Sequence, residues 1–405
     1  MHLIIDATTT QDQLAYAGIG QYTKNIVCTL IENYPNIDFS LLLFADRATT
    51  LCDTIYKHKN VKIVNLGKYE INDFKNDLWY YTKVLPKIKK IKKENSIYFC
   101  PYFWRNFPAN TLPTVLFVHD MNLAMFNMYS QKSKIHNQIR KRQYWMTMNK
   151  SMKCEHIICN SQTTKQDYLK YYPKYPEENI SVSYLGVELE EKETDLSKIL
   201  PIDSKQRGYL IYMGGGINKT KNSEGVIQAY TQFLKLLNKE NSEGNTKQNL
   251  PYLVIAGGKF ENKQLKEVQE LYNLIEKNNI KEQVIFTGFY EDEQKYSLLK
   301  NSFAFIHLSL YEGFGFSPIE ALRAKIPTIL HKNPVYEELF NDVAVMVDGT
   351  NSKEVAEKIY DVYGNSEKYQ GRVEQGYLLS NQYTWDNVAK KTYEIFERIS
   401  LEKVQ

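Results

Sequence analysis

Short apolar runs alternate along this chain with longer stretches in which apolar positions recur at helical spacing. Thirteen runs read as strands: residues 3–7, 40–45, 61–66, 97–100, 115–118, 156–159, 180–184, 209–213, 253–256, 284–287, 303–308, 327–330 and 344–347. Most are apolar at successive positions, the pattern of strands buried on both faces of a parallel sheet. Helical patterns lie between them, among them 21–33, 223–237 and 262–276. A last one, 385–401, offers Val388, Tyr393, Ile395, Phe396 and Ile399 as packing positions. Repeated strand–helix units predict α/β architecture with right-handed crossovers. The pattern breaks over 186–207, a charged stretch with Pro201 and no apolar period, and restarts with a strand at Tyr209. Two comparable α/β halves are expected, with a ligand in the cleft between them at the carboxyl ends of the strands.

Composition narrows the class. At 405 residues, 43% hydrophobic and 24% charged, the chain suits two or three globular domains and excludes disorder, collagen and coiled coil. No apolar run reaches the ~18 residues of a membrane span. The N-terminus, Met1 to Asp6, lacks the basic region and long apolar core of a signal peptide. Five cysteines, odd in number and without a Cys-x-x-Cys pair, argue against a disulfide framework or zinc knuckle. They favour a reducing compartment, so the expected location is cytoplasmic. The net charge of +4 hides an asymmetry: 1–186 carry 24 Lys+Arg against 15 Asp+Glu, and the remainder 27 against 32. Halves of +9 and −5 suggest domains with different partners.

The chemistry concentrates at Tyr311-Glu312-Gly313-Phe314-Gly315-Phe316-Ser317-Pro318-Ile319-Glu320, between a strand and a helix. Ser317 is expected as N-cap and Pro318 as the first helical residue. Gly313 and Gly315 let backbone approach a ligand, and the free N–H groups of a helix start suit phosphate. Glu312 in the loop and Glu320 in the helix can accept hydrogen bonds from hydroxyls. Together these parts describe a sugar-phosphate site; an ordinary strand–loop–helix junction with two solvated glutamates is the alternative.

The segment resembles the paired-glutamate signature of family-4 retaining glycosyltransferases, here Glu312 and Glu320. The resemblance continues through Ala321-Leu322-Arg323-Ala324, Ile326-Pro327-Thr328 and Val335-Tyr336-Glu337-Glu338. Upstream, residues 209–222, 253–258 and 284–288 resemble the family's donor domain, ending at Gly288. Gly18-Ile19-Gly20-Gln21-Tyr22 resembles its glycine loop, and Val118-His119-Asp120 its active-site histidine segment. The stretches 160–165 and 184–187 match the region before its linker. The resemblance implies a GT-B fold, two Rossmann-like parallel-sheet domains facing across a cleft. The acceptor-binding domain is expected over 1–190, the nucleotide-sugar-binding domain over 207–384, and the helix 385–405 packing back on the first.

Carried over from the family, Glu312 holds donor-sugar hydroxyls and Glu320 the ribose. Backbone N–H groups of Phe314, Gly315 and Phe316 touch sugar or phosphate, Lys221 neutralises the leaving diphosphate, and Gly18, Gly20, Gly214 and Gly288 line the donor. His119 joins Glu312 and Lys221 as a catalytic residue. One departure stands out. The family commonly has an Arg before that Lys or after the first glycine, whereas this chain has Thr220 before Lys221, and Gly215 and Gly216 after Gly214. Lys219 is the candidate substitute, without the bidentate fork of Arg.

Other signals are weaker. Gly18-Ile19-Gly20 also reads as part of a dinucleotide fingerprint, with Thr23 where the third glycine belongs, or simply as a turn opening the helix 21–33. His2, His58, His136, His156, His307 and His331 show no metal-ligand spacing, Asp-x-Asp is absent, and Glu291-Asp292-Glu293 reads as a helix N-terminus, so no metal is expected. Basic residues cluster at 87–93 and at 121–154, which has seven Lys/Arg, no acid, and Met125, Phe126, Trp145, Met146 and Met148. Solvated helix faces or an anionic membrane surface explain such runs; no nucleic-acid motif accompanies them. The expected function is retaining transfer of a hexosyl, first a mannosyl, group to a glycan or lipid-linked acceptor in surface polysaccharide (capsule or lipopolysaccharide) synthesis. GDP-mannose is the first donor, with UDP- or dTDP-sugars as others and no further cofactor. Peripheral attachment at the inner face of the cell membrane goes with a lipid-linked acceptor. A non-catalytic nucleotide-sugar-binding protein and a nicotinamide-dependent oxidoreductase are the rival readings.

Overall fold

The computed structural model describes residues 1–68, 76–102, 106–126, 134–200, 208–214, 217–244 and 250–402. The chain divides into two units: Met1–Gly186 with Tyr383–Gln405, and Val187–Gln382. Each is built on one parallel sheet. In the first unit the strands are β1 (His2–Asp6), β2 (Asp38–Leu43), β3 (Val61–Asn65), β4 (Ser96–Cys100), β5 (Thr114–Val118), β6 (His156–Cys159) and β7 (Ile180–Val182). Their order is β3-β2-β1-β4-β5-β6-β7. The second unit holds β8 (Tyr209–Met213), β9 (Tyr252–Ala256), β10 (Val284–Gly288), β11 (Ala304–His307), β12 (Thr328–His331) and β13 (Val345–Val347), in the order β10-β9-β8-β11-β12-β13. All thirteen expected strands form, each within two residues of its expected ends.

The apolar runs explain why. Every residue of β4, β5, β6, β8 and β11 is buried, because helices cover both faces of each sheet. At the edge, β3 exposes Lys62 and Ile63, and an edge lysine discourages pairing with another chain. In the second unit, Val226, Tyr230 and Phe233 of the helix Ser223–Gly244 pack in one cluster with Val355, Ile359 and Val362 of Ser352–Gly364. In both sheets the strand order reverses beside a central strand, between β1 and β4 and between β8 and β11, which opens a crevice at their carboxyl ends.

The closing helix Trp385–Glu402 belongs to the first unit. It buries Trp385, Val388, Phe396 and Ile399, while Tyr393 stacks on Tyr34 with ring centroids 3.9 Å apart. Phe396 meets Phe99 of β4 edge-on at 5.3 Å. Trp385 covers Gly186, where a Cβ would come within 2.6 Å of the indole.

One expectation needs correction. Cys28 and Cys52 are bonded to each other, although the cysteine pattern argued against a disulfide framework. The helix containing Cys28 and the short turn beginning at Asp53 bring two residues 24 apart in sequence to a Cα separation of 6.3 Å. Cys100, Cys154 and Cys159 are free and buried. Of the apolar residues named in the basic stretch, Met125, Phe126 and Met146 are exposed, whereas Met148 is buried. In the helix Lys134–Lys150, Tyr144 and Met148 are core residues and Trp145 packs against them, leaving Met146 exposed. Residues 127–133 of that stretch lie outside the described residues.

Two buried histidines pin neighbouring strands of the first sheet. His2 on β1 bonds Ser96 of β4 through Nδ1 (2.7 Å) and Ser40 of β2 through Nε2 (2.9 Å). His156 on β6 bonds Ser181 of β7 (2.8 Å), and its Nδ1 meets Arg398 of the closing helix (2.8 Å). Burial pushes both down to about 4, with Lys93 adding to it at His2 and Arg398 at His156.

Two expected outcomes follow from this packing. Phe396→Ala removes a fully buried ring and should destabilise the first unit by about 3–5 kcal/mol, read as a lower urea midpoint; an unchanged midpoint would refute the docking of the closing helix. The histidines make stability pH-dependent. Their folded pKa lies below the unfolded value, so the unfolded chain takes up protons first; stability is full above about 6.5 and falls as pH drops toward 4. The loss should reach at most about 1.4 kcal/mol per pH unit for each histidine. Urea midpoints between pH 7.5 and 5 should fall for the wild type and less for His156→Gln; parallel curves would contradict the assignment.

Candidate active site

The crevice of the second sheet lies where β8 and β11 end. Gly214 follows β8, and a Cβ there would collide with the ring of His307, the last residue of β11. Glycine therefore lets the chain pass directly over that imidazole. Next comes the single turn Lys219–Lys221, closed by Asn222 in the left-handed conformation (φ 52). The Asn222 side chain donates to Gly349 O (2.9 Å) and accepts from Gly225 N–H (3.2 Å). The carbonyl of Thr220 accepts from Leu310 N–H (2.7 Å) and the Ser309 hydroxyl (3.0 Å), which ties this turn to the loop after β11.

That tie brings Lys221 Nζ to 2.6 Å from Glu312 Oε1, with side-chain exposures of 24% and 15%. Burial alone would raise the Glu312 carboxyl. The Lys221 ammonium, His307 and hydrogen bonds from Lys221 and Ser309 outweigh it and hold the group below its ordinary range, so it stays ionised. His307 beneath the pair is kept neutral, pushed down to about 4 chiefly by burial, and its Nδ1 lies 2.8 Å from the Tyr336 hydroxyl.

Glu320 sits on the helix Phe316–Arg323. The expected cap is corrected here. Gly315, at φ 137, is the N-cap, and the helix begins at Phe316, ahead of Ser317 and Pro318. A Cβ on Gly315 would approach the Tyr336 ring to 3.0 Å, so both backbone and space require glycine. The N–H groups of the first turn have no partners within the helix and suit an anion. Glu320 is 7% exposed and accepts from Lys295 Nζ at 2.8 Å. Burial opposes the Lys295 charge, but Glu320 and, farther out, Asp292 hold the ammonium above its ordinary range. Gly288 ends β10 at φ 68, where a Cβ would collide with the Glu261 carboxylate. Lys219 is exposed, and Gly215 and Gly216 lie outside the described residues.

In the first unit, Gly18 is itself the first residue of the helix Gly18–Asn33, three residues before the expected start. Gly18 is exposed; Gly20 is buried, and a Cβ there would collide with the backbone of Leu14 and Ala15. Tyr22 of the same helix stacks on Phe117 (4.0 Å) and meets His119 edge-on (5.1 Å), so the glycine segment and the histidine come together. His119 is 7% exposed, with Nε2 2.8 Å from Pro101 O, and burial lowers it to about 4. Its ring is neutral at physiological pH.

The structure thus pairs Lys221 with Glu312 and brings Gly214, Gly315 and Phe316 around the same strand ends. Lys295 and His307 belong to this arrangement and were not read as site residues, while Tyr336 and Asn222 were named only within matching segments, without a role. Lys295 lies 25 residues from its partner with no local mark, and His307 was set aside for lacking metal spacing. Among the described residues, no three His, Cys, Asp or Glu side chains are grouped so as to hold a metal ion.

Two family models match the chain in tandem: Glycosyltransferase Family 4 over residues 50–191 and Glycosyl transferases group 1 over residues 194–378. The chain is 21% identical over 306 residues to the O-antigen chain mannosyltransferase B of Escherichia coli, covering 74% of each protein. To the serotype-specific mannosyltransferase WbdA of the same organism it is 22% identical, over 98% of this chain and 48% of that one. It therefore spans about half the length of WbdA. Among solved structures, Anabaena HepE in complex with UDP and glucose matches with a TM-score of 0.69 at 14% identity, over 98% of this chain and 100% of the other. The two Rossmann-like parallel sheets and this likeness make the fold GT-B, and the matches favour neither a nicotinamide-dependent oxidoreductase nor a non-catalytic binding protein. Covered by a Family 4 match and then a group 1 match in that order, the chain belongs to the glycosyltransferases.

Proposed function

We propose that this glycosyltransferase moves a hexosyl group, first a mannosyl, from a nucleotide sugar to a glycan or lipid-linked acceptor in surface polysaccharide synthesis, with retention at the anomeric carbon. The observation that carries the reading is the Lys221–Glu312 pair at the β8/β11 crevice beside the helix start at Phe316. An ionised, half-enclosed carboxylate accepts hydrogen bonds from sugar hydroxyls. An ammonium and free helix N–H groups beside it stabilise the negative charge that gathers on a departing diphosphate. Glu320 takes the ribose, and Lys219, exposed on the same turn, is the second phosphate contact. In the first unit, Gly18 and Gly20 open the helix whose Tyr22 supports His119, the residue assigned to the acceptor side. No enzyme nucleophile is identified, so the preferred route is front-face attack, with the departing phosphate helping to deprotonate the acceptor. The mannosyl preference and the polysaccharide setting are supported by the names of the Escherichia coli relatives. GDP-mannose is accordingly the first donor, with UDP- and dTDP-sugars next. Peripheral binding at the inner face of the membrane rests on the +9 charge of residues 1–186, with Met146 as its exposed apolar residue on the helix Lys134–Lys150. No helix among the described residues is long and apolar enough to cross a membrane.

Thermal stabilisation by GDP-mannose, UDP-glucose and dTDP-glucose tests the donor, because a ligand held only by the native state raises its stability. GDP-mannose should give the largest shift, and a larger one from another donor would replace it. Glu312→Ala should lower turnover by ~10²-fold or more, about 2.7 kcal/mol, while nucleoside diphosphate affinity changes only a few-fold. Near-native turnover in that variant would remove Glu312 from the reacting sugar.

A further inference from the structure

The second glutamate has a partner that the donor chemistry above leaves unused. Lys295 reaches Glu320 Oε1 at 2.8 Å from the helix Asp292–Lys300, and its other carboxylate contact is Asp292 at 3.3 Å. The two side chains nearest the crevice are well enclosed, Lys295 18% and Glu320 9% exposed, whereas Asp292 is 80% exposed. An enclosed ion pair of this kind adds little to stability over apolar residues of the same size, since both charges leave water. Retaining one therefore points to a task other than holding the fold.

The geometry suggests the task. Lys295 has a firm base: the side chains of Glu291 and Gln294 form a capping box at the start of its helix, and Ser297, Leu298 and Leu299 bury the next turn. The Tyr290 phenol, in the loop before that helix, is raised by burial and further by the Glu320 charge. The ion pair with Lys295 ties Glu320 to the helix that begins at Asp292, just after Gly288 at the end of β10. A free glutamate side chain samples several rotamers and would lose that freedom on binding. One fixed by an ammonium on one oxygen already presents the other.

We propose that Lys295 is a positioning residue for the nucleoside: it holds Oε1 of Glu320 and leaves Oε2 set to accept from a ribose hydroxyl. This rests on the assignment of Glu320 to the ribose. Lys295 does not touch the transferred sugar, and its effect is confined to recognition of the ribose.

The test is titration calorimetry with GDP, 2′-deoxy-GDP and 3′-deoxy-GDP, and with the matching uridine set, on the full chain. The wild type should lose ~10-fold or more in affinity when the bound hydroxyl is removed, as for a hydrogen bond to a charged group. In Lys295→Met that loss should shrink to less than about 3-fold, with Lys295→Arg keeping most of it. A Lys295→Met protein that discriminates ribose from deoxyribose as the wild type does overturns the proposal. A wild type with no such discrimination in either set overturns the ribose role of Glu320 itself, a distinct result. Should Lys295→Met fold poorly, the Lys295→Met/Glu320→Gln double variant removes the unpaired buried carboxylate. Its ribose preference should equal that of Glu320→Gln alone; a further drop would mean that Lys295 acts on its own and would overturn the proposal.

Discussion

A parallel strand buried on both faces can carry almost no charge along its length, so polar chemistry is driven to the strand ends. The second unit follows this constraint closely. Its central strands β8 and β11 are buried throughout, and Lys221 and Glu312 lie in the segments that follow them. The pair forms because the carbonyl of Thr220 is held by Leu310 and Ser309, and because Gly214 clears the His307 ring. A side chain at 214 would push the turn off the histidine and separate the charges.

The two glutamates are each neutralised by a lysine, but from different directions. Glu312 is met by a lysine of the turn after β8, so the pair spans the reversal in strand order. Glu320 is met by a lysine from the helix after β10, the edge strand, two positions from β8 in the sheet. Two carboxylates eight positions apart in sequence thus have their counter-charges on different elements. The helix that separates them begins at Gly315, whose φ of 137 admits no ordinary side chain. Arg323, at the far end of that helix, donates to the carbonyls of Val187 and Ser380 and fastens both ends of the second unit to the element bearing Glu320.

In the first unit the same residue types play a more internal part. Gly20 is small because the backbone of Leu14 and Ala15 crosses it. His119 is neutral and turned onto a carbonyl, with Tyr22 against its edge, so its ring is oriented before any ligand arrives. Proton transfer through a ring lowered to about 4 would need a partner that raises it, whereas hydrogen bonding from a neutral ring needs none.

All thirteen strands were legible because burial on both faces writes an unbroken apolar run into each one. The glutamate motif was legible because its parts are local: a loop, two glycines and a helix within ten residues. What was not legible depends on distance or on backbone torsion. The choice of Gly315 over Ser317 as the cap turns on a φ value that composition does not reveal. The Cys28–Cys52 bond and the Lys295–Glu320 pair join residues that the fold brings together from different elements. Met148 and Met146 were equally apolar on paper, and only packing put one in the core and the other in water. The sequence by itself determined the α/β alternation and the loop that carries the chemistry, since both follow from neighbours along the chain. Which charges meet there was decided by the tertiary structure, because a Coulomb interaction depends on separation in space and the fold alone sets that separation.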